Sequence, residues 1–393
     1  MELMTRPKMT IKELHSNEEL RRHEFPVTRS KIFLAHSSAS PLPRRVAEAM
    51  GDYVRLCSEG SQDVPDLESR LRLTRQLAAQ LIGAQEEEIS FVGPTSLALS
   101  VAAAGMPVRK GDNILIYFDD YPSNVYPWMA LAEKGVQVRL MNVRELGKIR
   151  PVDVMGQVDE QTRLVALASN HFLAGYRPDL ATIGKYLRER NIIFGVDAIQ
   201  SLGAFPLSAK DVDFMAAGAQ KWLLSPCGAG ILYVRKSLQE KLPPRIYGWH
   251  NVRSPGYVTQ EKMVSPPDGR RYEVGTANWL GLVGLRTALE LLLEGGVENI
   301  AAELLRKRAW IVPALEQKGW TVLQGDAPPL NASGIFSFYK PGAEADAPGV
   351  LQKLREEGVE MSMRGDRTGR QYLRIAAHFY NTDEELRRTL EKL

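Results

Sequence analysis

The chain has 393 residues, well above the roughly 150 residues of a typical domain, so we expect two domains or one large domain with a smaller one attached. Hydrophobic residues make up 44% and charged residues 25%, which is typical of a soluble globular protein and excludes disorder or a coiled coil for the chain as a whole. The formal net charge is only +3 and no basic block occurs, so no nucleic-acid partner is expected.

The chain has two cysteines, Cys57 and Cys227, too few for a disulfide framework, and this favours a cytoplasmic location. The first twenty residues mix charges of both signs without an apolar core, so no signal peptide is predicted. The longest run without a charge, from Ile89 to Val108, is interrupted by glycine and proline and lacks the uniform apolarity of a membrane span. We therefore expect no membrane partner.

In chain order, the sequence predicts a polar N-terminal arm over residues 1–30, a short strand over 31–35 and a helix over 44–55. From about residue 65 to 240, short apolar runs alternate with helical patterns, which is typical of βαβ units and a mostly parallel sheet flanked by helices. The predicted strands of this region are 114–118, 136–141, 164–168, 192–196, 214–217 and 230–234, and the helices between them are 96–104, 126–134 and 179–190.

Residues 240–275 are rich in proline, glycine and charge and are predicted to form a long irregular segment. A helix over 279–294 follows, and the remainder alternates helical and strand patterns. The predicted organisation is an N-terminal arm (1–30), an α/β large domain (31–280) and a smaller α+β C-terminal domain (281–393).

Several common site motifs are absent from the sequence. It has no phosphate-binding loop of the G-x-x-x-x-G-K-[ST] type and no G-x-S-x-G nucleophile elbow. A strand rather than a helix follows Gly228-Ala229-Gly230, which disfavours a nicotinamide-dependent oxidoreductase. No histidine has zinc-motif spacing, so no metal site is predicted; the histidines are His15, His23, His36, His171, His250 and His378.

Two residues of the region 192–234 point to a cofactor. Asp197 follows directly on a predicted buried strand, where α/β proteins place their sites. Lys221 is the only charged residue between Asp213 and Arg235, and apolar surroundings depress the pKa of a lysine and favour its neutral amine. Pyridoxal phosphate requires both a neutral lysine that forms a Schiff base with its aldehyde and an acid that pairs with its pyridinium nitrogen.

A phosphate seat is predicted where Phe91-Val92-Gly93-Pro94-Thr95-Ser96 leads into an apolar helix. Thr95 or Ser96 lies near the helix N-cap, where free backbone N–H groups and hydroxyls can hold an anion. Taken alone, this stretch is more typical of an ordinary helix start than of a phosphate seat.

Four segments in this order give the sequence a clear resemblance: DDYPSNVYPW, VDAIQSLGAFPLSAKDVDFMAAGAQKWLL, YEVGTANWLGL and YLRIAAHFYNT. Together they resemble the class V aminotransferase family of pyridoxal phosphate enzymes, of fold type I, which includes cysteine desulfurases, kynureninase and isopenicillin N epimerase. The similarity covers about residues 31–390. It implies a homodimer with sites at the interface and a large domain that binds the cofactor.

For the cofactor, the resemblance implies that Lys221 forms the internal aldimine and that Asp197 pairs with the pyridinium nitrogen. Gln200 would reach the ring hydroxyl, and Tyr121 would stack on the ring and take part in catalysis. Thr95, Ser96 and Gln220 would hold the phosphate, and Thr276 would reach the phosphate of the neighbouring subunit.

For a small amino-acid substrate, the resemblance implies a bidentate contact between Arg374 and the carboxylate. Asn170 would hold the cofactor or the same carboxylate. His36, on an N-terminal loop, and Arg364 would lie near the substrate, although a structural histidine and a surface arginine are open alternatives.

The departures from the family pattern narrow the chemistry. Residues 362–370, which correspond to the loop that carries the catalytic cysteine of desulfurases, contain no cysteine. Gln220 and Tyr121 stand where those enzymes have histidines, and Gly218 replaces a hydroxyl residue that often contacts phosphate. Cys227 is expected to be a packed thiol rather than a nucleophile.

The sequence leaves the reaction open. We expect C–S or β-elimination by a desulfurase-like lyase without a catalytic cysteine, because the DDYPSNVYPW, YEVGTANWLGL and YLRIAAHFYNT segments resemble the desulfurase and epimerase branch. The alternatives are transamination with a 2-oxo acid, which the AQK sequence at Lys221 favours, epimerisation, and an inactive cofactor-binding scaffold.

Overall fold

A computed structural model describes residues 10–63, 67–342 and 346–393 of the chain. Strands within these ranges form a seven-stranded sheet, a four-stranded sheet and a two-stranded pair. In chain order the strands are β1 (Ile32–Phe33), β2 (Ile89–Ser90), β3 (Asn113–Ile116), β4 (Gln137–Leu140), β5 (Thr162–Ala168), β6 (Ile193–Asp197), β7 (Phe214–Gly218), β8 (Gly230–Val234), β9 (Thr321–Val322), β10 (Ile335–Tyr339), β11 (Val359–Glu360), β12 (Ser362–Gly365) and β13 (Gln371–Ala376).

Helices lie before, between and after these strands. They are α1 (Ile11–Ser16), α2 (Glu18–Glu24), α3 (Arg44–Glu59), α4 (Leu67–Ile82), α5 (Thr95–Gly105), α6 (Tyr126–Met129), α7 (Pro151–Met155), α8 (Leu180–Arg188), α9 (Lys236–Gln239), α10 (Trp279–Gly295), α11 (Val297–Gln317), α12 (Ala347–Glu356) and α13 (Asp383–Glu391).

The seven-stranded sheet has the order β2-β8-β7-β6-β5-β3-β4. Neighbours from β4 to β7 are parallel, whereas β8 runs antiparallel to both β7 and β2. This confirms the predicted mostly parallel sheet, and the predicted strands match β3 to β8 to within a few residues. The helix predicted over 126–134 is α6 followed by a 3-10 turn over Ala130–Lys134.

Helices cover both faces of this sheet because its strands are apolar on both faces. Along β5, Leu164 and Ala166 enter the core that includes α5, whereas Val165 and Leu167 enter the core that includes α8 and α10. The strand period of two therefore sends alternate residues into different cores.

The C-terminal part contains the antiparallel sheet β12-β13-β10-β9, which shares a core with α11, α12 and α13. The N-terminal segment joins this part, since β1 pairs in parallel with β11 and the Phe25 ring stacks on Tyr380 at 4.0 Å. The predicted domain limits stay a prediction. Residues 240–275 contain only two short 3-10 turns, which confirms the predicted irregular segment.

Within the described ranges, no helix combines the length and apolarity that are needed to cross a membrane. The same ranges contain no cluster of three or more histidine, cysteine or acidic residues that could hold a metal ion.

Candidate active site

The parallel strands β5, β6 and β7 end at one edge of the sheet, and this edge carries the predicted site. Asp197 is the last residue of β6 and pairs in register with Ala168 on β5 and Ala216 on β7. Lys221 follows the end of β7 by three residues. Both side chains line one cavity of about 190 Å³.

This cavity brings together most of the residues that the sequence predicted. Three predicted residues, His36, Asn170 and Thr276, do not line it. Those that line it are Thr95, Ser96, Tyr121, Asp197, Gln200, Gln220, Lys221, Arg364 and Arg374.

Asp197 is a buried carboxylate that has little compensation from the protein. It is 3% exposed, and the backbone N–H of Ile199 donates to its Oδ1 at 3.0 Å. Burial raises the pKa of Asp197 to about 7, and the negative charge of Asp120 acts in the same direction. A cation beside Asp197, such as a pyridinium nitrogen, would offset this cost of burial.

Lys221 is held in a state that favours its neutral amine. It is 8% exposed, and its Nζ makes no hydrogen bond within the described part of the chain. Burial lowers the pKa of Lys221 to about 8, with further lowering by the positive charges of Arg374 and Arg364. The Nζ lies 5.4 Å from the centroid of the Tyr121 ring, so the aromatic face and the amine border the same space.

The N-terminus of α5 faces the cavity, as predicted for a phosphate seat. Thr95 is the first residue of α5, and no side chain caps this helix end. The Ser96 hydroxyl lies 2.7 Å from that of Ser123, and the Thr95 hydroxyl accepts a hydrogen bond from the Gly218 N–H at 2.7 Å. Uncapped N–H groups and hydroxyls at a helix N-terminus can hold a phosphate.

Gly218 makes room for Gln220 at this seat. A Cβ added at residue 218 would lie 2.5 Å from Gln220 Oε1 and 3.0 Å from Thr95 Oγ1. The Gln220 Oε1 is buried and has no hydrogen-bond partner within the described residues. Gly218 stands where the family has a hydroxyl residue, and the Gln220 amide occupies the space that a side chain at position 218 would need.

Arg374, on β13, is buried with only 1% of its surface exposed and meets only neutral acceptors. It donates to the hydroxyls of Ser38 and Ser362, each at 3.0 Å, and to the Phe172 carbonyl at 2.5 Å. No acid pairs with it within the described residues, and burial, together with Arg364, lowers its pKa. A buried guanidinium without a carboxylate partner is suited to bind an anion.

Arg364, on β12, lies beside Arg374 and is half-buried. It donates to the Ser38 hydroxyl at 3.0 Å and to the Met363 carbonyl at 2.7 Å. The two guanidinium groups therefore share one hydroxyl in the lining of the cavity.

The predicted amides, Gln200 and Asn170, are buried beside the cavity. The Gln200 side chain donates to the Ser37 carbonyl at 3.0 Å and accepts from the Trp222 indole N–H at 3.1 Å. Asn170 donates to the Gln200 carbonyl at 3.1 Å, and its Oδ1 has no partner within the described residues. Their contacts with a cofactor stay predictions.

The structure does not bring His36 to the cavity, which corrects the expectation that it contacts substrate. It is fully buried, and its Nδ1–H donates to the Ala376 carbonyl at 2.8 Å. The Nε2 therefore accepts from the Tyr380 hydroxyl at 2.6 Å, so both ring nitrogens are used. The next two residues, Ser37 and Ser38, line the cavity instead.

Two further residues lie away from the cavity. Thr276 is exposed and lines a separate cavity with the Gly228–Gly230 turn, so its reach to a neighbouring subunit stays a prediction. Cys227 is exposed on that turn, so the expectation of a packed thiol was wrong. Neither cysteine of the chain lines the Lys221 cavity.

The sequence reasoning missed Ser38, Phe172 and Asp120. Ser38 could have been predicted, because the sequence analysis had already singled out its loop through His36. Phe172 lies edge-on to the Tyr121 ring, with centroids 5.5 Å apart, and its carbonyl binds Arg374. Only the tertiary contacts reveal this role, because the segment that contains Phe172 carries no charge or motif of its own.

The donor set fits pyridoxal phosphate. Within the described residues, the cavity contains a lysine amine without a hydrogen bond, a buried carboxylate without an ion pair, a helix N-terminus without a side-chain cap and a buried guanidinium without an ion pair. Each of these costs free energy in the protein alone. The aldehyde, ring nitrogen and phosphate of the cofactor and the carboxylate of an amino acid would satisfy them.

Comparison with known proteins agrees with this arrangement. The sequence profile described as aminotransferase class-V matches residues 32–389. A probable cysteine desulfurase of Methanothermobacter thermautotrophicus is 28% identical, over 96% of this chain and 98% of its own. An uncharacterized aminotransferase of Bacillus subtilis is also 28% identical, over 95% of this chain and 96% of its own.

Solved structures share the fold. The apo cysteine desulfurase of Thermococcus onnurineus superposes with a TM-score of 0.86 at 23% identity, covering 95% of this chain and 96% of that one. The cystine C–S lyase C-DES, in complex with its product cysteine persulfide, gives 0.84 at 22% identity, covering 93% and 98%. The predictions of family, fold type and cofactor class are thus confirmed, and the chain belongs to the class V aminotransferase family of pyridoxal phosphate-dependent enzymes.

Proposed function

We propose that the protein is a lyase that cleaves the bond between Cβ and a sulfur substituent of a small L-amino acid, without using a protein cysteine. The observation that carries this proposal is the cavity that combines Lys221, Asp197 and Arg374 but has no cysteine in its lining. The similarity to cysteine desulfurases over nearly the whole chain supports C–S chemistry.

Specific residues would hold the cofactor. Lys221 would attach it covalently, Asp197 would pair with its ring nitrogen, and Tyr121 would face its ring. Thr95, Ser96 and Gln220 would contact the phosphate at the N-terminus of α5. When bound, pyridoxal phosphate takes up the substrate amine and withdraws electrons from Cα, which weakens the Cα–H bond and the bond to a leaving group on Cβ.

Arg374 would anchor the substrate by its carboxylate. Its contacts with Ser38, Ser362 and the Phe172 carbonyl hold the guanidinium in place before substrate arrives, which reduces the entropy that is lost on binding. A carboxylate anchored at Arg374 would limit the orientations that Cα can take in the cavity that Lys221 lines.

Lys221 would then move the proton at Cα. A lysine amine with a pKa near 8 is a base matched to neutral pH, whereas an ordinary lysine is almost wholly protonated there. In the proposed elimination, Lys221 takes the Cα proton and the sulfur leaves Cβ with the bonding electron pair. No thiol of the protein has to accept the sulfur.

Transamination is the second candidate. The similarity to a Bacillus subtilis protein described as an aminotransferase supports it, as does Gln220 directly before Lys221. It would differ from elimination in the last step, since the proton would return to the cofactor carbon and no leaving group would depart.

The product decides between these reactions. The protein loaded with pyridoxal phosphate is incubated with L-cysteine, L-cystine, S-methyl-L-cysteine, L-alanine or L-serine, and a Lys221→Ala variant serves as the control. Pyruvate, ammonia and released sulfur or thiol from the sulfur substrates, at equal rates, support the lyase. Pyridoxamine phosphate and the 2-oxo acid of the intact substrate, without ammonia or released sulfur, support transamination, and racemised amino acid supports epimerisation.

We also propose a cytoplasmic homodimer in which Thr276 reaches the neighbouring site. The exposure of Thr276 away from its own Lys221 cavity supports this arrangement. Light scattering measures the mass. Mixing Thr276→Ala with Lys221→Ala subunits tests the reach, because one of the two sites of each hybrid dimer would lack both changes and the other would carry both.

A further inference from the structure

Asp120 is a buried carboxylate in the turn that follows β3, directly before Tyr121. It is 7% exposed, and no cation pairs with it within the described ranges. An unpaired buried carboxylate is costly, so its presence beside a binding cavity calls for a specific role.

Three donors hold the Asp120 carboxylate between the Tyr121 turn and β5. Its Oδ1 accepts from the Tyr121 N–H at 2.7 Å, and its Oδ2 accepts from the Asn124 side chain at 2.9 Å and from the Ala168 N–H at 3.1 Å. The Asn124 Oδ1 in turn accepts from the buried Trp128 indole N–H at 3.0 Å. Asp120 therefore ties the segment that carries Tyr121 to the end of a central strand.

The same contact places Asp120 beside Asp197. Ala168, whose N–H binds Asp120, is the register partner of Asp197 on the neighbouring strand. The groups that hydrogen-bond to Asp120 are the two N–H donors and the Asn124 amide, none of which is charged. The titratable groups that the Asp120 charge affects are Asp197 and Tyr117. The charged neighbours of Asp197 are Asp120, which raises the pKa of Asp197, and Lys221, which lowers it.

We propose that Asp120 is a positioning residue for the cofactor: it fixes Tyr121 beside Lys221, and its negative charge opposes the loss of the proton that Asp197 and the ring nitrogen would share. The part that concerns the ring rests on the proposed function. The coupling between the two carboxylates does not, because it belongs to the protein without cofactor.

The direction of the titrations agrees with this geometry. Burial raises the pKa of Asp120 to about 6, so it is largely ionised at pH 7 and above. The pKa of Asp197 rises to about 7, first through burial and then through the charge of Asp120. Replacing Asp120 by a neutral residue of the same shape should therefore lower the pKa of Asp197.

The first test uses apo-protein labelled with 13C at the aspartate carboxyl carbons and follows these signals against pH. Wild-type protein should show two aspartates that titrate well above the usual range and that affect each other. In Asp120→Asn one signal disappears and the midpoint of the other falls by roughly one pH unit. Asp119→Asn is the matched control, because it removes a charge one residue away that pairs with Arg367 at 2.8 Å.

The second test follows the ring nitrogen of bound 15N-labelled pyridoxal phosphate. Asp120→Asn should release the ring proton at a lower pH than wild type, and Asp119→Asn should match wild type. An unchanged midpoint of Asp197 in Asp120→Asn, or an equal shift in Asp119→Asn, overturns the inference. If Asp120→Asn does not fold, the wild-type apo titration decides, since independent single-step titrations refute the coupling.

The two tests separate the inference from the proposed function. If the protein binds no pyridoxal phosphate, the proposed function fails while the apo titration still reports on the coupling. If the cofactor binds but both variants leave the ring nitrogen unchanged, the proposed function stands and the role of Asp120 is refuted.

Discussion

Arg374 offers the most direct test of how this cavity selects its substrate. The Arg374→Leu variant removes the buried guanidinium, 1% exposed, from the lining of the cavity and keeps an apolar side chain of moderate size on β13. The Ser38 and Ser362 hydroxyls and the Phe172 carbonyl remain in place. The change therefore removes the proposed carboxylate anchor. It should not move Lys221, because Lys221 follows β7 whereas Arg374 lies on β13.

The expected magnitude follows from burial. Truncating one partner of a buried, hydrogen-bonded charge pair costs about 2–5 kcal/mol. At about 1.4 kcal/mol per tenfold change, this is a loss of roughly 30- to 4,000-fold in affinity for a substrate that has a carboxylate. An amine without a carboxylate never forms that pair, so its affinity should change by less than about threefold.

The assay compares L-alanine with ethylamine, its decarboxylated counterpart, by the absorbance change of the bound cofactor. The control is Arg308→Leu, because Arg308, on α11, is also a buried arginine, 4% exposed, that donates to backbone carbonyls and forms no ion pair in the part of the chain that the structure describes. Arg308→Leu should lower the melting temperature and preserve the preference for L-alanine. Equal losses for L-alanine and ethylamine in Arg374→Leu would refute the anchor.

The remaining predictions concern the amine, the phosphate seat and the cysteines. Burial lowers the pKa of Lys221 from 10.5 to about 8, so its neutral fraction at pH 7 is about 300-fold larger than that of an ordinary lysine. The rate at which apo-protein takes up pyridoxal phosphate should therefore rise with pH and level off above pH 8. A stopped-flow rate that still rises tenfold per pH unit at pH 9.5 would contradict this. Gly218→Ala places a methyl group 2.5 Å from Gln220 Oε1. Cofactor affinity measured by fluorescence should fall about fivefold, which corresponds to the loss of one hydrogen bond, and Gln220→Ala in the same chain should relieve the clash. Wild-type affinity in the single variant would argue against the proposed phosphate seat. A protein with both Cys57→Ser and Cys227→Ser has no cysteine and should release pyruvate from sulfur substrates at the wild-type rate, whereas loss of release would implicate a thiol.

The local pattern of the sequence was enough to predict the central sheet. The apolar runs at β3, β5, β6, β7 and β8 predict strands that are buried on both faces, and the side chains of these strands are largely buried. Asp197 and Lys221 were predictable because a charged side chain in apolar surroundings is a candidate for a functional site.

The antiparallel direction of β8 was not predictable from its own composition. A buried apolar strand reads the same in either direction, and only its pairing with both β7 and β2 fixes the direction. Likewise, β1 has the composition of any short strand, and its pairing with β11, far along the chain, is a tertiary contact.

The sequence by itself determined the fold class through its local periodicity, and it singled out Lys221 and Asp197 through their apolar surroundings. Arg374 was predicted only from the resemblance to the family. The tertiary structure alone decided the environment of each group. His36 lies in the core because the Ala376 carbonyl and the Tyr380 hydroxyl satisfy both of its ring nitrogens. Asp120 acts on Asp197 because β3 and β6 both lie beside β5, and charge coupling depends on distance in space rather than along the chain.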